Sequence, residues 1–263
     1  MNDLRIALVQ ICPETGNAGK NAEKIIGYME KAAKEGAGLV LFPECSLTGY
    51  APEKAEEICI SNGSAPVAAI EKKAGDLGIA VCFGYAESTG EDAKPFITQE
   101  LYFEGKKTIY RKTCVAPREE PFFLPGNSYE TADVRGVTAA MQICWESHMP
   151  KISSIYRSKG AQLLLFPYAS GMSGDKCIEN WSIHLPARAS DNGCFAAACN
   201  LLSNGKGGGS AVWDPKGKLI ARYSGFDEEM TVCDIGGELP REKYERGEET
   251  MHTLSYFDHS KEI

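Results

Sequence analysis

Apolar positions along this chain fall into two spacings, and the switches between them mark out the elements. Leu4-Arg5-Ile6-Ala7-Leu8-Val9-Gln10-Ile11 is a nearly continuous apolar run of strand length, which predicts a strand buried on both faces. Ala22, Ile25, Ile26, Met29, Ala32 and Ala33 then recur at helical spacing, and Gly36 ends the helix. Gly38 to Phe42 is a second apolar run, stopped by Pro43, which has no N–H to give to a ladder. Strand, helix, strand is the economical reading.

The same patterns predict a helix over 66–78 and strands over 79–85, 97–103 and 107–111, with Phe103-Glu104-Gly105-Lys106 as a hairpin turn. Further on they predict a strand over 137–143, a helix over 152–159, a strand over 162–166 and a helix over 179–192 that is bent or shortened around Pro186. Strands over 194–200, 209–213, 219–223 and 230–234 follow, and Asp214-Pro215-Lys216-Gly217 is a turn between two of them. One internal echo stands out. Gly36-Ala37-Gly38-Leu39-Val40-Leu41-Phe42-Pro43-Glu44 matches Gly160-Ala161-Gln162-Leu163-Leu164-Leu165-Phe166-Pro167-Tyr168, each after a helical stretch. Two related half-units of this kind predict two sheets packed face to face with helices outside.

Composition narrows the class. With 263 residues, 43% of them hydrophobic, the chain can build one large core without disulfide or metal staples, and one domain over 1–263 is expected, its core spanning about 4–235. After Glu238 the sequence turns charged, then ends near Tyr256-Phe257, so the 238–263 tail is expected to pack on its own domain or on a second subunit. A net charge of −8 argues against nucleic acid and anionic membrane surfaces as partners. No apolar run is long enough to span a membrane, and Met1-Asn2-Asp3-Leu4-Arg5 lacks the sections of a signal peptide, so a cytoplasmic location is expected. The 10 cysteines have no CxxC spacing and the 4 histidines no HxxxH pair, which predicts reduced thiols and no metal site. Gly205-Lys206-Gly207-Gly208-Gly209-Ser210 lacks the Lys-Ser/Thr ending of a phosphate loop and reads as a strand-entry loop.

Three segments end an apolar strand in a reactive side chain: Leu41-Phe42-Pro43-Glu44-Cys45, Tyr110-Arg111-Lys112-Thr113 and Gln142-Ile143-Cys144-Trp145-Glu146. Singly each has a bland explanation, as a turn carboxylate, a solvated edge lysine or a core cysteine. Together and in this order they resemble the nitrilase superfamily of carbon–nitrogen hydrolases. That family carries a glutamate in Phe-Pro-Glu, a lysine in Tyr-Arg-Lys and a cysteine in Cys-Trp-Glu or a close variant. Ile6 to Gln10, Leu124-Pro125-Gly126, Ala187 to Asn192 and Gly208 to Pro215 are also family-like, so the resemblance covers roughly residues 4 to 235.

The resemblance implies an α/β (α+β) fold, a four-layer α-β-β-α sandwich, assembled as a homodimer. It implies Cys144 as nucleophile, Glu44 as proton-transfer base, and Lys112 with the Trp145 N–H as stabilisers of a tetrahedral intermediate on the way to a thioester. Glu119 is expected as a supporting glutamate, with Glu120 as the alternative, and Trp145 and Tyr168 as neighbours of the substrate pocket. No metal or organic cofactor is implied. The expected substrate is a small amide, including an ω-amide or an N-carbamoyl amine. Cys-Trp-Glu followed by His148-Met149-Pro150 also looks like the nitrile-cleaving branch, which makes a nitrile the alternative. An inactive binding subunit and acyl transfer to an amine are the remaining readings. Specificity is expected in the loops 45–65, 113–128 and 168–180.

Overall fold

A computed structural model describes residues 1–90, 93–203 and 205–237; the 238–263 tail and its aromatic pair lie outside the described residues. In chain order the elements are β1 (Leu4–Gln10), α1 (Ala18–Lys34), β2 (Leu39–Leu41), α2 (Ala55–Ile58), α3 (Ala65–Leu77), β3 (Ala80–Glu87), β4 (Phe96–Phe103) and β5 (Lys106–Arg111). Then come β6 (Thr131–Val134), β7 (Val137–Met141), α4 (Pro150–Ser158), β8 (Leu163–Tyr168), α5 (Gly174–Asn192) and β9 (Phe195–Asn200). A small hairpin of β10 (Leu202–Ser203) and β11 (Lys206–Gly207) precedes β12 (Ser210–Trp213), β13 (Leu219–Tyr223) and β14 (Glu229–Ile235).

Two six-stranded sheets result, in the orders β14-β1-β2-β3-β4-β5 and β13-β12-β9-β8-β7-β6. Each has three parallel strands at its centre, β1, β2 and β3 in one and β7, β8 and β9 in the other. The two echoing segments supply the middle strand of each trio. Their apolar runs are long because a central parallel strand is covered on both faces. Alternation shows this directly. Leu4, Ile6, Leu8, Leu39, Leu41 and Cys82 belong to the core that the two sheets share, while Ala7, Val9, Val40, Val81 and Phe83 face Ile25, Met29, Val67 and Ile70 of α1 and α3. On the far side, α4 and α5 cover the second sheet with Ile152, Tyr156, Trp181, Leu185 and Ala189. The layers are helix, sheet, sheet, helix, as the resemblance implied. Each fully buried Leu, Ile or Phe contributes about 1.5–3 kcal/mol to holding them together.

The second half of the chain also contributes a strand to the first sheet. β14 ends the described chain yet pairs with β1, from Leu4 opposite Ile235 to Gln10 opposite Glu229, so the last strand returns to the first sheet.

Some boundaries differ from the sequence expectation. The helix expected over 179–192 starts at Gly174 and runs unbroken through Pro186. A proline removes one backbone hydrogen bond, but Trp181, Leu185 and Ala189 keep the same buried stripe on the sheet across it, and that packing outweighs the local defect. β6 was not expected, because Thr-Ala-Asp-Val is too short and polar to register as a strand. It forms because Arg135 and Gly136, both with positive φ, make a tight two-residue turn into β7.

One glycine bears directly on the site. A Cβ on Gly84 of β3 would lie 2.7 Å from the Cys45 backbone nitrogen and 2.4 Å from Gln99 Oε1. Its absence lets the segment after β2 fold across the end of β3, where Leu47 N–H donates to Gly84 O at 2.8 Å.

Candidate active site

Glu44 and Lys112 come from the first sheet, beyond the ends of β2 and β5, which point the same way with two strands between them. The fold-back over Gly84 and the length of the lysine side chain close that gap. Lys112 Nζ donates to Glu44 Oε1 at 2.8 Å and lies 2.9 Å from Glu119 Oε2 and 3.0 Å from Oε1. All three side chains are buried; Lys112 is wholly inaccessible.

Of the two glutamates weighed as the supporting one, Glu119 is the buried group on the lysine, and Glu120 is exposed with its backbone bonded back to Ala116 O. Glu119 is saturated with donors. Besides Lys112 it accepts from Tyr50 Oη at 2.7 Å and from the Ala116 N–H at 2.7 Å. Burial by itself would raise its pKa, but the Lys112 charge and these hydrogen bonds hold it below the usual carboxylate value. Glu44 goes the other way. Burial dominates and pushes its pKa up, aided by the Glu119 charge and opposed by Lys112. Its Oε2 is buried without a protein hydrogen bond, and Cys144 is the other side chain whose hydrogen bonding acts on the carboxyl. One carboxylate is therefore a fixed counter-ion. The other holds a proton more readily than an ordinary carboxylate.

Cys144 comes from the second sheet. It follows β7 and opens a one-turn 3-10 helix, Cys144–His148, with φ +48°, a left-handed backbone rare for a residue with a side chain. Burial and the nearby Glu44 charge raise its thiol pKa by more than Lys112 and the Ala169 N–H lower it. The Trp145 N–H is in the first turn of this helix, where backbone donors have no partner inside the helix.

A family model for carbon–nitrogen hydrolases matches residues 5–240. The chain belongs to the carbon–nitrogen hydrolase family. Among its relatives are a protein named nitrilase from Pyrococcus abyssi, 27% identical over 91% of this chain and 92% of that one, and an omega-amidase from Xenopus laevis, 27% identical over 89% of each. Solved structures of the Nesterenkonia AN1 amidase superpose with a TM-score of 0.82 at 26% identity, covering 96% of this chain and 97% of the other. In another structure of that amidase the acetamide moiety of fluoroacetamide is added covalently at the active-site cysteine. This protein is accordingly a hydrolase of carbon–nitrogen bonds other than peptide bonds.

Around the hydrolase site, Tyr168 at the end of β8 is buried, stacks on Trp181 at 4.6 Å, and feels the Cys144 charge. Trp145 is 40% exposed and its ring turns away toward His148, which in turn packs on His184. Burial pushes His184 down to about 4 and also lowers His148, so both rings are neutral at pH 7. In the glycine run at 205–209, a Cβ on Gly207 would meet Leu201 O and one on Gly208 would meet Gly225 O. Among the described residues no group of three or more His, Cys, Asp or Glu is placed to hold a metal.

Sequence reasoning missed the part played by Glu146. Its Oε2 accepts from the Ile143 N–H at 2.7 Å, and its Oε1 from the Thr113 N–H, Thr113 Oγ1 and Tyr110 Oη at 2.7 Å each and from the Cys114 N–H at 3.0 Å. One buried carboxylate thus ties the cysteine turn of one sheet to the lysine segment of the other. The signal was its place two residues after the cysteine, but only packing shows its partners. Glu146→Ala would strand buried backbone donors, and a loss of more than about 3 kcal/mol in unfolding free energy is expected by chemical denaturation.

Proposed function

We propose that this protein hydrolyses the carbon–nitrogen bond of a small amide through a thioester on Cys144, as a single hydrolase domain. The observation that carries the reading is the buried cluster in which Lys112 bridges two carboxylates of opposed pKa shift, with the Cys144 thiol beside the one that is short of donors. As Sγ bonds the amide carbon, its proton passes to Glu44. Charge growing on the amide oxygen is met by Lys112 Nζ and the Trp145 N–H. The C–N bond breaks as Glu44 returns the proton to the leaving nitrogen. Water then attacks the thioester, giving a proton to Glu44, and the thiol departs with a proton restored. Amide and water become acid and ammonia or amine; no cofactor enters the balance.

The Nesterenkonia amidase structures and the omega-amidase relatives support an amide as substrate. A nitrile is the second reading, favoured by the Cys-Trp-Glu-Ser-His segment and the Pyrococcus relative. An ammonia-release screen over neutral amides, ω-amides, carbamoyl amines and nitriles separates them: amides are expected to lead, and turnover of nitriles alone would reverse the order. In the same assay Cys144→Ala and Cys144→Ser are expected to abolish ammonia release with the fold retained, while Cys45→Ala keeps most of it.

The reading extends to a cytoplasmic homodimer. All ten cysteines are free, as in a reducing compartment. Among the described residues no helix is long and apolar enough to cross a membrane. Trp145, Met172 and Ile183 are exposed on the side of the cysteine turn and α5, a surface suited to a second subunit. Light scattering is expected to give twice the chain mass.

The pH dependence follows from the charges. Glu44 must be ionised to accept the thiol proton, and its pKa is raised, so kcat/KM should climb through an acidic limb above the ordinary carboxylate range. Because the Glu119 charge is one cause of that raise, Glu119→Gln should move the limb to lower pH. A limb that moves up instead would contradict this division of roles.

A further inference from the structure

Arg118 sits beside Glu119, and the contacts that fix the cluster also fix its backbone. Glu119 Oε2 accepts from the Ala116 N–H at 2.7 Å, and the Glu119 N–H bonds back to Ala116 O at 2.7 Å, so Pro117-Arg118 is the tip of a short tied turn. Its guanidinium carbon lies 5.6 Å from the centroid of the Tyr50 ring, whose hydroxyl donates to Glu119. The Tyr50 hydroxyl also hydrogen-bonds the guanidinium, which holds it in place while its remaining N–H groups stay available to a ligand.

Other cations near the nucleophile are already engaged. Lys112 is enclosed by Glu44 and Glu119, Arg111 is paired with Glu87, and Arg188 is buried behind the cysteine turn, where Nε donates to Ser147 O at 3.0 Å. Arg118 is tied to a neutral tyrosine hydroxyl and not to a carboxylate or a backbone carbonyl. It is exposed, it makes no ion pair among the described residues, and it lies within electrostatic reach of Cys144. Inside, two carboxyl groups share one ammonium, an arrangement that repels an anionic substrate unless a cation stands at the mouth.

We propose that Arg118 binds a carboxylate of the substrate, so that the preferred substrates are monoamides of dicarboxylic acids, with the amide at Cys144 and the carboxylate two or three methylenes away on the guanidinium. This rests on the amide-hydrolase reading and names its substrate class. A planar fork with parallel N–H groups matches a carboxylate, and a hydrogen-bonded charge pair of this kind discriminates against a neutral isostere by about tenfold or more.

The test measures kcat/KM for succinamate and glutaramate against their neutral isosteres, 4-methylpentanamide and 5-methylhexanamide, in the wild type, Arg118→Gln and Arg118→Lys. The wild type is expected to favour the anionic member of each pair by about tenfold or more. That ratio should collapse in Arg118→Gln and be partly kept in Arg118→Lys, which retains the charge without the fork. The wild-type rate on the anionic substrates should also fall with added salt, and this dependence should flatten in Arg118→Gln. Loss of fold in Arg118→Gln would show as lost turnover of all four amides, and the lysine variant and the wild-type salt dependence then decide. A wild type that favours the neutral amides, or a ratio untouched by either substitution, overturns the proposal and leaves the amide-hydrolase reading standing. No ammonia from any of the four overturns both.

Discussion

Everything at the site depends on a lysine ammonium with no access to water. Removing such a charge from water costs several kcal/mol even after the surroundings relax, and only close, well-oriented counter-charges offset it. Lys112 has two, at 2.8 and 2.9 Å. One ammonium can fully compensate one carboxylate, and the two glutamates divide unequally. Glu119, with a tyrosine hydroxyl and a backbone N–H as further donors, keeps its charge at low cost. Glu44 has no such set of donors, and burial, aided by the Glu119 charge, raises its pKa against the pull of Lys112. In the proposed reaction Glu44 is the better base because burial acts on it with fewer hydrogen bonds to offset it than Glu119 has.

The second constraint is mechanical. Glu44, Lys112 and Glu119 belong to the first sheet, and Cys144 to the second, so the reacting groups meet only if the sheets keep their relative position. The shared apolar core holds the sheets together but is non-directional. Glu146 adds direction, because its bonds to the Ile143, Thr113 and Cys114 backbones have defined geometry. The left-handed turn at Cys144 is tolerable for the same reason: backbone strain of about 1–3 kcal/mol persists where the surroundings over-determine it. Cys45, beside Glu44, has a similar φ of +53°, so each sheet turns sharply just beyond the strand it brings to the site.

Much of this was legible in the sequence, and for definite reasons. A strand covered on both faces leaves an unbroken apolar run, so β1, β2 and β8 were plain, and so was the repeated half-unit, because both copies bear the same packing. Glu44, Lys112 and Cys144 stood out because their three short motifs occur together and in the order that the family carries. Where a local signal was outweighed by packing, reading failed: Pro186 suggested a break that the buried stripe of α5 overrides, and β6 had too few apolar positions to be seen.

The sequence by itself determined the order of elements, the family and the residues worth watching, since these rest on periodicity and short motifs carried by neighbouring positions. Tertiary structure alone decided how those residues differ from one another. Which glutamate is saturated with donors, what raises the pKa of the other, what Glu146 ties together and what holds Arg118 all depend on groups far apart in the chain. Burial and charge act through space, and no local pattern records distances of a few ångströms between residues that lie tens of positions apart.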